Sequence, residues 1–589
     1  MPRSASTLAG TALARTTAFR PSLGGASGAL ESIRRRHALA SLVLYLVVAI
    51  VIDRDAVAHL NSVCACNGAS DPTQFMWAMV WWPYAILHGL NPFISHVIWV
   101  PDGANLASAT SVPGAALVAA PLTAIAGPVV SYNVLTVLAP VAGAWFAYRL
   151  CLQITRAPGP SILGGFLYGF SSYELGHLIG LLHTVFIFAP PVTALLTLKR
   201  LDGSLGPRRY TALMAVTLVV QLLLSTEMLL TMTLMGAATL AVAWLLSAPE
   251  DRRRIVALLG PLVGAYAVMV IVCSPYLYYE LVRGSPYAQG WGALYPADVV
   301  NFLVPTEITW LGGHAFAAVS NSFRGNLTEN GAYIGLPLAL IVAAYAVQSW
   351  RTRTAKIALT TLALAVLWSL GSRLTVVGDP TFRLPWFEFA RLPLLDQVIP
   401  IRAMVYVALI CAVIAAKWLA DAGPHPVRRW ALAALAVVFL LPNTGAAYPG
   451  SSITTFHRRL DEPAFFTTGL YKHYLSRDEV VLPLPYGSSG DSLLWQARTD
   501  MYFRLASGYF GKPPSVYAAD PVVAQLTADA PRAAAPAQLR AFIALHQVDA
   551  VIAGRAEAGP WASVLARLGL RPVIVGDVLL WRVPPGWAD

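Results

Sequence analysis

Residues 70–93 read SDPTQFMWAMVWWPYAILHGLNPF. Asp71 and Pro72 open the stretch, and no Asp, Glu, Lys or Arg follows within it. It holds three tryptophans, Trp77, Trp81 and Trp82, with Pro83 directly behind them. The run is apolar enough for a membrane yet short and aromatic, and a proline ring disrupts a helix interior. Tryptophan prefers the water–lipid boundary. These residues therefore predict an interfacial helix over 74–90, with Asp71 at its N-terminus capping free N–H groups and Pro72 in its first turn.

The whole chain sets the context. Its 589 residues are 57% hydrophobic and 12% charged, with mean hydropathy +0.59. A soluble protein carries roughly twice that charge fraction. Repeated apolar runs long enough to cross ~30 Å of hydrocarbon indicate a polytopic helical membrane protein. The net charge of +11 does not imply nucleic acid, because excess Lys and Arg in such proteins gathers in cytoplasmic loops. Cys151, Cys273 and Cys411 read as packing residues. Cys64 and Cys66 form a C-x-C without further ligands at metal-site spacing, and no disulfide framework is expected.

Residues 1–36 predict a flexible basic cytoplasmic tail. Apolar helical runs follow near 37–53, 129–150, 160–175, 183–199, 209–227, 228–248, 254–275, 331–349, 355–371, 400–421 and 429–447. Basic clusters at Arg34–Arg36, Arg149/Arg156, Lys199–Arg209, Arg252–Arg254, Arg351–Lys356 and Lys417–Arg429 fall after every second span, which makes them cytoplasmic. Between residues 53 and 128 there is one Arg and no Lys. That fits an external first loop over 53–128 in which 111–127 is peripheral or re-entrant. The count is eleven spans, or thirteen if both doubtful segments cross, within a membrane domain over 37–447. Residues 276–330 form a long external loop. Residues 448–589 predict an extracytoplasmic α/β domain, with strand-like runs EVVLPLP (479–485), VDAVIAG (548–554) and RPVIVGDVLLWRVP (571–584).

A carboxylate held at the membrane surface can act as general base on an acceptor hydroxyl, or ligate a cation. This arrangement of tail, span and external loop, with an acid ahead of an amphipathic helix, resembles the GT-C superfamily of integral membrane glycosyltransferases. Asp71-Pro72 is similar to the acid-Pro pair of oligosaccharyltransferase catalytic subunits, and ENGAYIG (329–335) to a segment of YfhO-like membrane proteins. The resemblance implies a GT-C-like bundle that catalyses on its external face with Asp71. It implies a polyprenyl-phosphate-sugar donor. Where many members carry paired acids, this chain has a lone Asp71, and a divalent cation (Mg or Mn) stays open. Asp53-Arg54-Asp55 is a rival acid site at the end of the first span.

Other residues fill out the expected site. Glu174 and His177, three apart, share a helical face suited to sugar or phosphate, against an equal case for a polar hairpin cap. Glu227 is the lone charge between two spans, where a carboxylate is costly unless paired or functional. Glu329 precedes a span and reads as solvated. Arg391, Asp396 and Arg402 crowd the start of the run at 400. A guanidinium can grip a phosphate with paired hydrogen bonds, which favours Arg402 first and Arg391 second, against simple pairing with Asp396.

The expected protein moves a sugar to a glycan, lipid or protein acceptor of the cell envelope, at the outer side of the plasma membrane. Its partners are the lipid-linked donor, membrane lipid and that acceptor, with no nucleic acid. The rivals are a lipid-linked sugar transporter or flippase and a non-catalytic assembly subunit.

Overall fold

A computed structural model describes residues 23–67, 70–284, 294–312, 314–422, 426–444, 456–460, 462–511, 513–555 and 557–587. Residues 1–22 of the expected tail and 285–293 of the long loop lie outside the described residues, as does the His314 side chain.

A backbone surrounded by hydrocarbon must satisfy its own hydrogen bonds, so the apolar runs fold as helices. Five are long and apolar enough to cross a membrane: Arg35–Ile52, Pro128–Thr155, Thr226–Leu246, Pro249–Val272 and Pro400–Ala420. Shorter helices, among them Pro158–Gly169, Ala189–Leu201, Pro207–Leu224, Leu336–Ser349 and Arg353–Ser369, pack between them. The chain is a mainly α, multi-pass membrane protein with a small sheet domain near its C-terminus. Proline marks the first turn of many helices, including those at 128, 158, 207 and 249, where its missing N–H costs nothing. The window at Pro400–Ala420 is 78% buried, against 22% for Pro249–Val272. The former is therefore the central helix, and it carries Arg402 into the interior.

The expected run 160–175 breaks in two. Helix Pro158–Gly169 stops, and Ser171 caps a short helix Ser172–Leu178 by accepting from the Glu174 N–H at 3.4 Å. A Cβ on Gly169 would stand 2.4 Å from the Ala144 Cβ. Only glycine permits this approach to the helix Pro128–Thr155.

The helix Ser70–Leu87 continues through Pro83, and Asp71 falls in its first turn rather than at the cap. Its tryptophans are not at a lipid boundary. Phe75 through Trp82 are all buried. The helix lies between the bundle and the C-terminal domain, against Pro113–Ala126, Pro128–Thr155 and Ser492–Arg498. Each indole N–H finds an internal acceptor: Trp77 donates to Gln496 Oε1 (2.6 Å), Trp81 to Pro92 O (2.9 Å) and Trp82 to Ser111 O (3.1 Å). The C-terminal sheet domain thus covers the surface that the sequence assigns to headgroups. Helix Pro113–Ala126 has 14 residues, about 21 Å at 1.5 Å per residue and short of ~30 Å.

The C-terminal sheet has five strands, in spatial order Pro572–Val575, Val578–Arg582, Ala550–Gly554, Val480–Leu484, Arg504–Leu505. Strand 480–484 runs parallel to both its neighbours, while 572–582 is an antiparallel hairpin. That hairpin turns on Gly576 (φ +51°) and Asp577 (φ +67°), the left-handed pair that tight hairpins require. The sheet is joined to the first loop. Leu505 N–H donates to Val97 O (2.9 Å), Trp99 N–H to Ser507 O (2.9 Å), and Val63–Cys64 pairs with Arg458–Arg459. No disulfide framework is expected from the sequence, yet Cys64 and Cys66 form a disulfide in this loop.

Candidate active site

The central helix opens with a 3₁₀ turn, Pro400–Ala403, that delivers Arg402 into a buried setting. An unpaired guanidinium there would be unfavourable. Its partners are not Asp396. Arg402 Nη2 lies 2.6 Å from Glu329 Oε1 and Nε 3.2 Å from the same oxygen, while Nη1 pairs with the Glu227 carboxylate. His183 Nε2 stands 3.4 Å from Nη1. His177 Nε2 is 3.3 Å from Glu329 Oε2, and its Nδ1 is 2.7 Å from Tyr173 O.

Local sequence explains how the two acids arrive. Ser225 ends the helix Pro207–Leu224 and caps the next by accepting from the Met228 N–H. Glu227 then sits in a first turn, where the helix dipole favours negative charge. Its Oε1 accepts from the Ile399 N–H at 3.0 Å. Glu329 is not solvated: Asn326 Oδ1 accepts from its N–H at 2.9 Å, and the side chain is 4% exposed. The turn is closed by Gly331, where a Cβ would stand 2.8 Å from the Tyr173 Cα. Burial alone would raise the Glu329 carboxyl, but Arg402 and His177 hold it well below the usual carboxylate range.

Asp71 borders this network. The ring of Phe75, one turn along its helix, is 5.7 Å from that of His183, and a Cβ on Gly180 would lie 3.6 Å from the Pro72 ring. Burial pushes the Asp71 carboxyl up. A hydrogen bond from Tyr509 of the sheet domain and the charge of Arg402 pull it down, and Glu329 adds to the rise.

The remaining candidates are placed differently. Glu174 is fully buried, and neither of its oxygens is hydrogen-bonded. Among the described residues it makes no ion pair with the Arg402 network. Arg391 stays outside: its side chain is 62% exposed, pairs with Glu388 at 3.0 Å and stacks on Phe387. Asp55 faces His457 at 3.4 Å. Asp53 follows the first span and is 1% exposed, and among the described residues its carboxylate oxygens accept no hydrogen bond; burial pushes its carboxyl up to about 7. A narrow crevice of about 10 Å³, roughly the space one water molecule needs, lies beside the network, lined by Leu167, Ser171, Tyr173, Gly331, Tyr333 and Met404.

Among the described residues no group of three or more His, Cys, Asp or Glu could hold a metal ion. The donor set does not fit a divalent cation, because Arg402 already stands between Glu227 and Glu329.

No protein-family model matches the sequence, and no curated protein matches it significantly. Solved structures do. The arabinofuranosyltransferase AftD from Mycobacteria aligns at TM-score 0.53 and 14% identity, over 93% of this chain and 41% of that one. The chain therefore spans about two fifths of the length of AftD. ArnT from Cupriavidus metallidurans aligns at TM-score 0.47 and 11% identity, over 94% and 99%. The oligosaccharyltransferase AglB from Archaeoglobus fulgidus aligns at 0.45 and 12%, over 89% and 70%. The fold assignment stands on the first of these: the chain has the GT-C glycosyltransferase fold.

Proposed function

We propose that this chain transfers a sugar from a polyprenyl-phosphate-linked donor to a cell-envelope glycan, lipid or protein. One observation carries the reading: Asp71, on a helix clamped under the sheet domain, borders a buried network centred on Arg402. Asp71 acts as general base. It takes the proton of an acceptor hydroxyl as that oxygen bonds to the anomeric carbon. The carbon–oxygen bond to the phosphate breaks, and the phosphate leaves with the electron pair. The upward push of burial on Asp71 favours this role, since a stronger base accepts the proton more readily. Arg402 and, from outside, Arg391 face the leaving phosphate, whose growing charge they offset. Glu174, His177 and Glu227 shape the sugar site.

The proposed setting is the plasma membrane, with the N-terminus cytoplasmic and the sheet domain outside. The test is transfer from radiolabelled polyprenyl-phosphate sugars, with pentose and hexose donors side by side. Membranes with wild-type protein are compared with expression-matched Asp71→Asn. Loss in the variant is expected, by a factor of about 10²–10⁴ for a lost general base. Equal transfer would move the base to Asp53 or Asp55. No transfer from any donor would favour a non-catalytic subunit of the same fold.

A further inference from the structure

One guanidinium faces two carboxylates at the centre of the site. A donor phosphate would bring a further negative charge, and two as it leaves with the bond pair. Arg402 as it stands has little left to offer such a group. Its Nε and Nη2 are on Glu329, and its Nη1 is on Glu227.

The two acids are unequal. Glu329 is 4% exposed, holds Arg402 from two nitrogens and is itself held by His177. Glu227 is 18% exposed and holds Arg402 from one nitrogen. Its place in the first turn of its helix favours its charge there. Its second oxygen holds the Ile399 N–H, which ties the external segment before Arg402 to the bundle.

We infer that Glu227 is a phosphate surrogate, occupying Nη1 of Arg402 until the donor phosphate displaces it and frees the Ile399 N–H. The inference rests on the glycosyl-transfer reading and deepens it. Carboxylate and phosphate oxygens accept the same guanidinium N–H bonds, so the exchange conserves the hydrogen bonding of Arg402. It also admits only an anion to this position: a lipid without a phosphate cannot replace Glu227 there. The same movement releases the segment that carries Arg391. Donor binding thereby loosens the outer wall of the site.

The test is binding of undecaprenyl phosphate to the full chain in nanodiscs, without a transfer step. Glu227→Gln is expected to bind about tenfold more tightly than wild type, because the competing anion is gone. Glu329→Gln is expected not to tighten binding. Equal tightening by Glu227→Gln and Glu329→Gln would reduce the effect to general charge removal and overturn the inference. So would unchanged or weaker binding by Glu227→Gln, while leaving the proposed reaction intact. Absence of binding by wild type and variants alike would remove both. A second measurement uses wild type alone. Amide hydrogen exchange at Ile399 should speed up on adding the lipid, and unchanged or slower exchange would overturn the inference.

Discussion

Glu329 and Arg402 hold each other through two guanidinium nitrogens in a buried setting, and loss of either leaves the other with a buried charge only partly offset. Breaking such a pair costs about 3–5 kcal/mol. Glu329→Gln is therefore expected to lower the melting temperature more than Glu227→Gln, whose acid is the more exposed of the two. Thermal unfolding in one detergent compares them directly. The two buried acids also predict opposite pH behaviour. Glu329 is held below its ordinary value of 4.5. It contributes stability that is present above 4.5 and lost as pH falls below it, a loss that Glu329→Gln should no longer show. Asp53 is raised from 3.8 to about 7. Between those values the folded chain keeps a proton that the unfolded chain releases, so its contribution falls as pH rises through the window. Asp53→Asn should flatten that part of the curve. A profile that Asp53→Asn leaves unchanged would show that this carboxyl is not titrating there.

The tryptophan helix shows what was legible in the sequence and what was not. Asp71-Pro72 marks a helix start because acid and proline both suit the first turn, and the structure starts the helix one residue earlier. The position of Trp77, Trp81 and Trp82 was not legible, because an apolar face does not declare whether lipid or protein covers it. The partners of Arg402 were hidden for a different reason. They lie 73 and 175 residues away, and local periodicity reports only neighbours within a turn or two. Glu329 looked solvated because it precedes a span; the small residue Gly331 beside Tyr173 was the one local trace of close packing. The cover over the tryptophans depends on another glycine. A Cβ on Gly508 would stand 2.5 Å from the Trp99 indole nitrogen, in the strip where the sheet domain pairs with the first loop. Gly508→Ala is expected to cost about 1–3 kcal/mol through overpacking. It should also expose the junction to proteolysis. Gly260→Ala, in a helix with nothing within 4 Å, should be neutral or slightly stabilising.

At the scale of the whole molecule, the sheet domain and the bundle build the site jointly. Gln496 takes the N–H of Trp77, and Phe510 packs on its ring at 4.8 Å. Tyr509, next to Phe510 in the chain, reaches Asp71. Arg498 binds Glu462 at 2.8 Å and Asn61 O at 3.0 Å, so the first loop is fastened from the same side. The domain is thus continuous with the core that presents Asp71, and its loss would uncover that core. Truncation after residue 444 should leave Trp77 against water, and a large side chain so uncovered forfeits roughly 1.5–3 kcal/mol. The expected result is a bundle that still enters membranes but melts earlier and transfers no sugar. A domain that served only to recruit acceptor would behave otherwise. Its removal would raise the acceptor KM and leave the melting temperature and the slow hydrolysis of donor by water unchanged. Measuring donor hydrolysis by the truncated chain, without any acceptor, separates the two cases. Hydrolysis at the full-length rate would mean that Asp71 is positioned by the bundle alone. Its loss together with a lower melting temperature would mean that the sheet domain is part of the catalytic scaffold.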